Sequence, residues 1–234
     1  NHKVKTIIFQ NKSDEYILSE VSDLKSFEKV LIKGSGADLE VYRYKPEPVG
    51  NRIKIVMACR LLKEKGVFEF VEAAKLVKLT HSNAVFLLAG CPDIGNPNSV
   101  SQNDLNKWQE EGVVTLLGHC DNIPKLFSES HIVTMPSYYG EGGPKVLIEA
   151  AACGRPVITT VNPGCCDAII PEETGILVPI KDSLSLSEAF IRLIDNSILR
   201  LYMGTNARDY AIDEFDIKNV VRKHLDIYKS LLSR

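Results

Sequence analysis

Tyr138-Tyr-Gly-Glu141-Gly-Gly-Pro144-Lys145-Val-Leu-Ile-Glu149-Ala-Ala-Ala-Cys-Gly-Arg-Pro156 follows the apolar run Ile132–Met135 and passes through paired glycines into a helical pattern. The run reads as a buried strand, and Pro144 fits the first position of a helix over Pro144–Ala152, where its missing N–H costs nothing. A strand that enters a helix through a glycine loop can hold an anion. Gly142 and Gly143 allow backbone N–H groups to approach it, and the helix amino terminus adds partial positive charge. A diphosphate suits such a loop; a tight turn is the plainer reading of the same two glycines.

Glu149 is the unusual residue, because Val146, Leu147, Ile148, Ala150, Ala151 and Ala152 around it describe a buried helix. A carboxylate there needs a partner. Ribose hydroxyls are suitable donors, and an internal ion pair with Lys145 or Arg155 is the alternative. Glu141 could accept from sugar hydroxyls beside a phosphate, or stand as a solvated loop charge.

Outward from this segment, short apolar runs alternate with segments of helical period from Arg52 onward, the pattern of βαβ units on a parallel sheet. The expected fold class is α/β, a Rossmann-like parallel sheet of about six strands flanked by helices. The strands are expected over Lys54–Cys59, Ala84–Ala89, Val113–Leu117, Ile132–Met135, Pro156–Thr160 and Gly175–Val178. Further helices are expected over Val67–Leu79, Asn103–Glu110, Ile123–Glu129, Leu186–Asp195, Leu199–Glu214 and Ile217–Leu232. Ser185 and Glu188 have the spacing of a capping box, and the turn formers of 93–102 predict a mobile surface loop.

The first fifty residues lie outside the pattern. Thr6–Gln10 and Lys29–Lys33 read as strands around a short helix, followed by Gly34-Ser-Gly-Ala-Asp38 and then by Pro46 and Pro48. A dinucleotide fingerprint would need a third glycine and an immediate helix, so a hinge is the better reading. The leading segment looks like the tail of a preceding domain.

Composition narrows the function classes. Twenty-eight basic against thirty acidic residues leave a net charge of −2, which supplies no global field for nucleic acid or an anionic membrane. No apolar run approaches the roughly 20 residues of a spanning helix, so membrane contact is expected to be peripheral at most. The six cysteines at 59, 91, 120, 153, 165 and 166 form no Cys-x-x-Cys pair and read as reduced core thiols of a cytoplasmic protein; an even count also permits disulfides.

A second constellation, Arg60-Leu-Leu-Lys-Glu-Lys65-Gly66, follows the strand expected at Lys54–Cys59. Open α/β sheets bind ligands at the carboxyl ends of strands. There Arg60 offers a planar fork and Lys65 a mobile charge for phosphate oxygens. Standing alone, such a basic loop would more often be simply solvated.

Together, Arg60, Lys65-Gly66, the two glutamates and the run Pro144–Pro156 resemble the donor-domain signature of the family 4 glycosyltransferases of the GT-B fold. The likeness extends from Gly34 to the end, with its last helix similar to the one that crosses back toward the partner domain. The resemblance implies residues 1–38 as the tail of the acceptor-side domain, 39–50 as linker, 51–213 as the nucleotide-sugar-binding domain and 214–234 as the crossing helix. It further implies a retaining, metal-independent transfer from a nucleoside diphosphate sugar, with UDP the expected nucleotide and no cofactor. In that scheme Arg60 and Lys65 hold the diphosphate, Glu141 the sugar and Glu149 the ribose. Gly142, Gly143, Pro144 and Lys145 complete the cradle, while Gly90, Gly118 and His119 stand at strand ends near the base; His119 reads equally as a surface histidine. The run around Cys153 looks most like bacterial enzymes that extend lipid-linked surface polysaccharides, acting at the inner face of the membrane on a glycan or lipid-linked acceptor held by the other half. Independently, the sequence contains no Asp-x-Asp motif, consistent with a leaving group stabilised by cations. It departs from the family pattern at Val161 and at Gly164-Cys-Cys-Asp167, where a thiol occupies the usual place of an arginine. An epimerase or phosphorylase of the same fold, or a non-catalytic nucleotide-sugar-binding module, are the competing functions.

Overall fold

The computed structural model describes residues 6–233. The leading segment forms a small unit of its own, in which β1 (Thr6–Phe9) and β2 (Glu28–Leu31) pair in parallel across α1 (Lys12–Val21). A parallel bridge between Ala37 and Asp216 ties the chain that follows to the far end of the molecule.

The main body is a single parallel sheet of β3 (Ile53–Ala58), β4 (Ala84–Ala89), β5 (Thr115–Gly118), β6 (Ile132–Met135), β7 (Val157–Thr160) and β8 (Gly175–Val178). The strand order is β5-β4-β3-β6-β7-β8, so the direction of winding reverses between β3 and β6. Alternate residues of β3 divide between the two faces, as a period of two requires. Ile53, Ile55 and Met57 join one apolar cluster with residues of α2 (Val67–Lys78), α3 (Gln102–Glu110) and α6 (Ser183–Asp195). Val56 and Ala58 join the other with residues of α4 (Ile123–Ser128) and α5 (Lys145–Ala152). This double coverage is why the strands are mostly apolar on both faces, with Lys54 and a few threonines as the exceptions. On the first face, Phe86 of β4 meets Phe70 and Phe190 edge to face, at 5.7 and 5.5 Å between ring centroids. Ala151 and Ala152 of α5 pack with Ala207 and Ala211 of α7 (Ser197–Phe215), and α8 (Ile217–Leu232) follows.

The Rossmann-like sheet expected from the sequence is therefore present, with local corrections. The strand expected at 113–117 starts at Thr115, with Val113 and Val114 buried ahead of it. Helix α6 is capped by Asp182, whose carboxylate accepts from the Ser185 N–H at 2.9 Å and from its hydroxyl at 2.6 Å. The Ser185–Glu188 capping box is thus replaced by a cap three residues earlier, at a position where the backbone is still extended. Pro144 is the cap residue of α5, and its helix starts at Lys145. The 93–102 loop is stitched down: Asp93 N–H donates to the Ser99 hydroxyl, and Leu62 bridges Ser99.

Within the segment read as a hinge, residues 42–48 are held against the sheet-bearing body. Arg155, 1% exposed, donates to the carbonyls of Lys45, Pro46 and Ser128. Arg200 forms a two-pronged pair with Glu47 at 2.9 and 2.7 Å and also donates to the last carbonyls of α6. Arg208 bonds the Tyr42 and Ala152 carbonyls, and the His131 ring joins Pro48 O to Lys54 N. His131 must stay neutral to accept from Lys54 while donating to Pro48, and burial accordingly pulls its pKa down.

Removing Arg155 would leave buried carbonyls unpaired, at a cost of one to a few kcal/mol for the set. Arg155→Ala is therefore expected to lower the unfolding free energy by about 3 kcal/mol, with partial rescue by Arg155→Lys, since one terminal nitrogen, Nη2, makes all three bonds and a shorter ammonium side chain can replace only part of them. Urea unfolding measures both; a loss below about 1 kcal/mol would contradict the clamp.

Candidate active site

The winding reversal between β3 and β6 leaves a crevice at the carboxyl ends of the strands, the usual ligand position in an open α/β sheet. A cavity of about 450 Å³ lies there, in the size range of small-molecule sites. Its walls come from the ends of three adjacent strands and from α4 and α5. Arg60, Gly90, His119 and Glu149 all line it, beside apolar Ala58, Ile123 and Val146. Four of the residues singled out in the sequence thus share one cavity.

Each is placed by its element. Gly90 has φ +138°, and a Cβ there would lie 1.8 Å from the Cys59 carbonyl oxygen, so only glycine lets β4 end this close to β3. Gly118, left-handed at the end of β5, accepts the Gly90 N–H at 2.7 Å and thereby fixes that corner from outside the cavity. His119 is largely exposed at the rim and pairs with Asp121 at 3.0 Å. Arg60 extends from the end of β3 and is held by Asp93 at 3.1 Å.

Glu149 sits on α5, 7% exposed. Lys145 approaches it at 3.5 Å from one turn earlier, and Tyr42, in the linker, lies near enough for its phenol and the carboxylate to act on each other's titration. Of the two ion-pair partners considered from the sequence, Lys145 is real and Arg155 is not, since Arg155 is committed to the linker carbonyls. Burial raises the Glu149 pKa, while Tyr42 and Lys145 act in the opposite sense.

Lys65 and Glu141 lie beside the cavity and not in its wall. They form a half-buried ion pair of 2.5 Å, and the Ser137 hydroxyl donates to the same carboxylate oxygen at 2.9 Å. Glu141 is thus no solvated loop charge. The short helical turn Lys63–Lys65 can reach it because Gly66, at φ +82°, packs against the Pro136 carbonyl, where a Cβ would sit 2.2 Å away. Cys59 links the two groups of charges: burial pushes its thiol up to about 12, and Lys65, Glu141 and Arg60 all act on it.

Gly142 and Gly143 have a packing role that sequence reasoning did not supply. A Cβ on Gly142 would meet Gln10 Oε1 at 2.2 Å, and one on Gly143 would meet the Gly34 Cα at 2.5 Å. Asn11 also donates to the Glu141 and Gly142 carbonyls. The loop is therefore the seat of the leading unit.

The Gly164-Cys-Cys-Asp167 segment packs beneath that loop. Cys165 is buried, and Cys166 caps the Thr160 carbonyl. The core-thiol reading holds for Cys153 and Cys165, whereas Cys91 is exposed at the cavity; all six are free thiols. Residues that sequence reasoning missed are Tyr42 and Asp93, which act on partners distant in the chain, and Ser137, whose hydroxyl donates to Glu141 four residues on.

If packing dictates Gly143, Gly143→Ala should loosen the leading unit before it affects the sheet. Limited proteolysis should then cut within residues 6–34 faster, while protection of the β3–β8 body is retained. Unchanged cleavage would remove the packing role.

The chain is similar to known proteins over most of its length. The chain is 30% identical over 210 residues to the N,N'-diacetylbacillosaminyl-diphospho-undecaprenol alpha-1,3-N-acetylgalactosaminyltransferase of Campylobacter jejuni, covering 90% of this chain and 52% of that protein. It is 28% identical to the UDP-Gal:alpha-D-GlcNAc-diphosphoundecaprenol alpha-1,3-galactosyltransferase of Escherichia coli, covering 86% and 54%. The chain thus spans about half the length of the curated relatives it matches. Among solved structures, the sucrose-phosphate synthase of Thermosynechococcus elongatus superposes with a TM-score of 0.84 at 25% identity, over 97% of this chain and 58% of that one. The family model for glycosyl transferases group 1 matches residues 39–210, and this chain belongs to that family.

Proposed function

We propose that the chain is the donor-binding part of a retaining, metal-independent glycosyltransferase that moves a hexosyl or N-acetylhexosaminyl group from a UDP-sugar to a lipid-linked acceptor. The convergence of Arg60, Gly90, His119 and Glu149 on one cavity carries this reading. Glu149 accepts from the ribose hydroxyls, Ile123 and Val146 supply apolar contacts, and Arg60 exchanges Asp93 for phosphate oxygens. Lys65 turns from Glu141 to the same diphosphate as the glycosidic bond breaks, and the freed Glu141 carboxylate accepts from the sugar. The two cations neutralise the departing UDP without a divalent ion.

The named activities of the Campylobacter and Escherichia relatives, both on diphosphoundecaprenol-linked sugars, support surface polysaccharide biosynthesis at the cytoplasmic face of the membrane. Acceptor contacts would come from outside the Rossmann-like domain, with residues 1–38 belonging to that side and α8 reaching toward it. Its stripe of Val221, Leu225 and Leu232 stands exposed.

Arg60→Ala should weaken UDP binding by at least about tenfold in calorimetry while leaving uridine binding unchanged, since a charged hydrogen-bonding group is lost at the phosphate only. Equal weakening of both ligands, or no saturable UDP binding by the folded wild-type chain, would refute the donor site. In the enzyme supplied with an acceptor, transfer should survive EDTA and give an α-linked product from an α-linked donor; a changed sugar nucleotide without acceptor would indicate epimerisation instead.

The ribose role has a pH signature. The carboxylate must be ionised to accept two hydroxyl donors, and its pKa is raised, so UDP binding should weaken as pH falls through a range above that of an ordinary glutamate. Glu149→Gln should weaken binding at neutral pH and abolish this acidic limb, which a titration from neutral to pH ~5 would reveal.

A further inference from the structure

We infer that Asn11, in the leading unit, is a positioning residue for the donor's diphosphate: it holds two carbonyls of the glycine loop so that the Gly142 and Gly143 N–H groups are left free for phosphate oxygens. The inference rests on the donor site proposed above.

Packing accounts for the missing side chains of Gly142 and Gly143 and leaves their peptide groups unexplained. Asn11 is fully buried, and its amide is committed at both ends. Its Oδ1 accepts the Asp14 N–H at 2.7 Å and so caps α1. Its Nδ2 donates to Asp14 Oδ2 at 2.8 Å and to the Glu141 and Gly142 carbonyls at 3.3 and 3.2 Å. Flipping the amide would set Oδ1 against three oxygens, so these partners fix its orientation. Gly164 lies against the same two carbonyls, where a Cβ would overlap the Glu141 oxygen. The carbonyl side of the loop is therefore occupied.

A trans peptide points its N–H opposite to its C=O, and no described peptide is cis. With the Glu141 and Gly142 carbonyls both turned to Asn11, the N–H groups of Gly142 and Gly143 both point away from it. Neither has a hydrogen-bond partner among the described residues, whereas the Glu141 N–H before them donates to the Pro163 carbonyl. Pro144, next in the chain, has no N–H to give. Successive unpaired N–H groups in a turn make a seat for an anion. The loop adjoins Lys65 through its pair with Glu141, and it leads into the first turn of α5, whose Val146 lines the cavity. Asn11 makes none of these contacts with the ligand itself; it acts through the loop, and so a residue of the leading unit shapes the donor site.

The test uses the intact chain with UDP and uridine. In protein carrying 15N-labelled glycine, the Gly142 and Gly143 amide signals should shift with UDP and not with uridine. Asn11→Asp keeps a capping oxygen for α1 but turns an acceptor toward the two carbonyls, and Asn11→Ser keeps a capping hydroxyl while removing the amide. Both should weaken UDP binding by about tenfold in calorimetry, leave uridine binding unchanged and abolish the two glycine shifts. A residue that only seated the leading unit would leave the ratio of UDP to uridine affinity where it was. Equal weakening of both ligands, or unchanged UDP affinity, would overturn the assignment. So would wild-type Gly142 and Gly143 signals indifferent to UDP, an outcome that needs no variant to fold. If Arg60→Ala weakens UDP as expected and the Asn11 variants do not, only the Asn11 inference fails. If the wild type shows no saturable UDP binding, the donor site fails and the Asn11 inference with it.

Discussion

Three arginines reach from the Rossmann-like body to the segment that precedes it, and much else in the molecule depends on where they hold it. Arg155, Arg200 and Arg208 satisfy backbone carbonyls at the ends of helices while also holding the linker, Arg155 and Arg208 by its carbonyls and Arg200 by the Glu47 carboxylate. Carbonyls at helix ends lack intrahelical donors, and a planar guanidinium can serve several of them together. Without those donors, residues 42–48 would bring unpaired carbonyls against an apolar surface. With them, the linker becomes part of the domain, and Tyr42 arrives behind Glu149.

The site itself is assembled from charges that already have partners. Arg60 is held by Asp93, Lys65 by Glu141, and Glu149 by Lys145. Such pairing keeps long side chains ordered and spares half-buried charges the cost of standing alone. It also makes ligand binding an exchange, in which phosphate and hydroxyl groups must replace partners of comparable strength. The short Lys65–Glu141 pair, reinforced by Ser137, is the harder of these to open because it is half-buried, whereas Arg60 stands mostly in solvent.

The sheet was legible because helices cover both faces: runs such as Ala84–Ala89 are apolar from end to end, and no other element of that length needs to be. Glu149 was legible for the related reason that a carboxylate on an apolar helix is conspicuous. Its ion pair with Lys145 was legible too, one turn away on the same helix, whereas the nearness of Tyr42 was not, since nothing in the linker marks that residue as anything but a partly buried aromatic. Two overlapping spacings, Asp182 to Ser185 and Ser185 to Glu188, could each start α6, and the backbone at Asp182 settled the matter. Gly142 and Gly143 show a deeper ambiguity. Paired glycines announce that something comes close, but a phosphate and the backbone at Gly34 make the same demand.

The pairing of charges around the cavity has a kinetic consequence. Arg60, Lys65 and Lys145 are balanced by Asp93, Glu141 and Glu149, and Asp121 beside His119 at the rim adds a further anion, so the mouth has no positive charge to project into solvent. An approaching dianion feels little attraction until it is within contact distance. Electrostatic steering, which accelerates encounters between oppositely charged partners, has almost nothing to act on here. Capture would then proceed at an ordinary diffusive rate with weak dependence on ionic strength, and selection among anions would fall on how long each stays once the internal pairs have yielded to it.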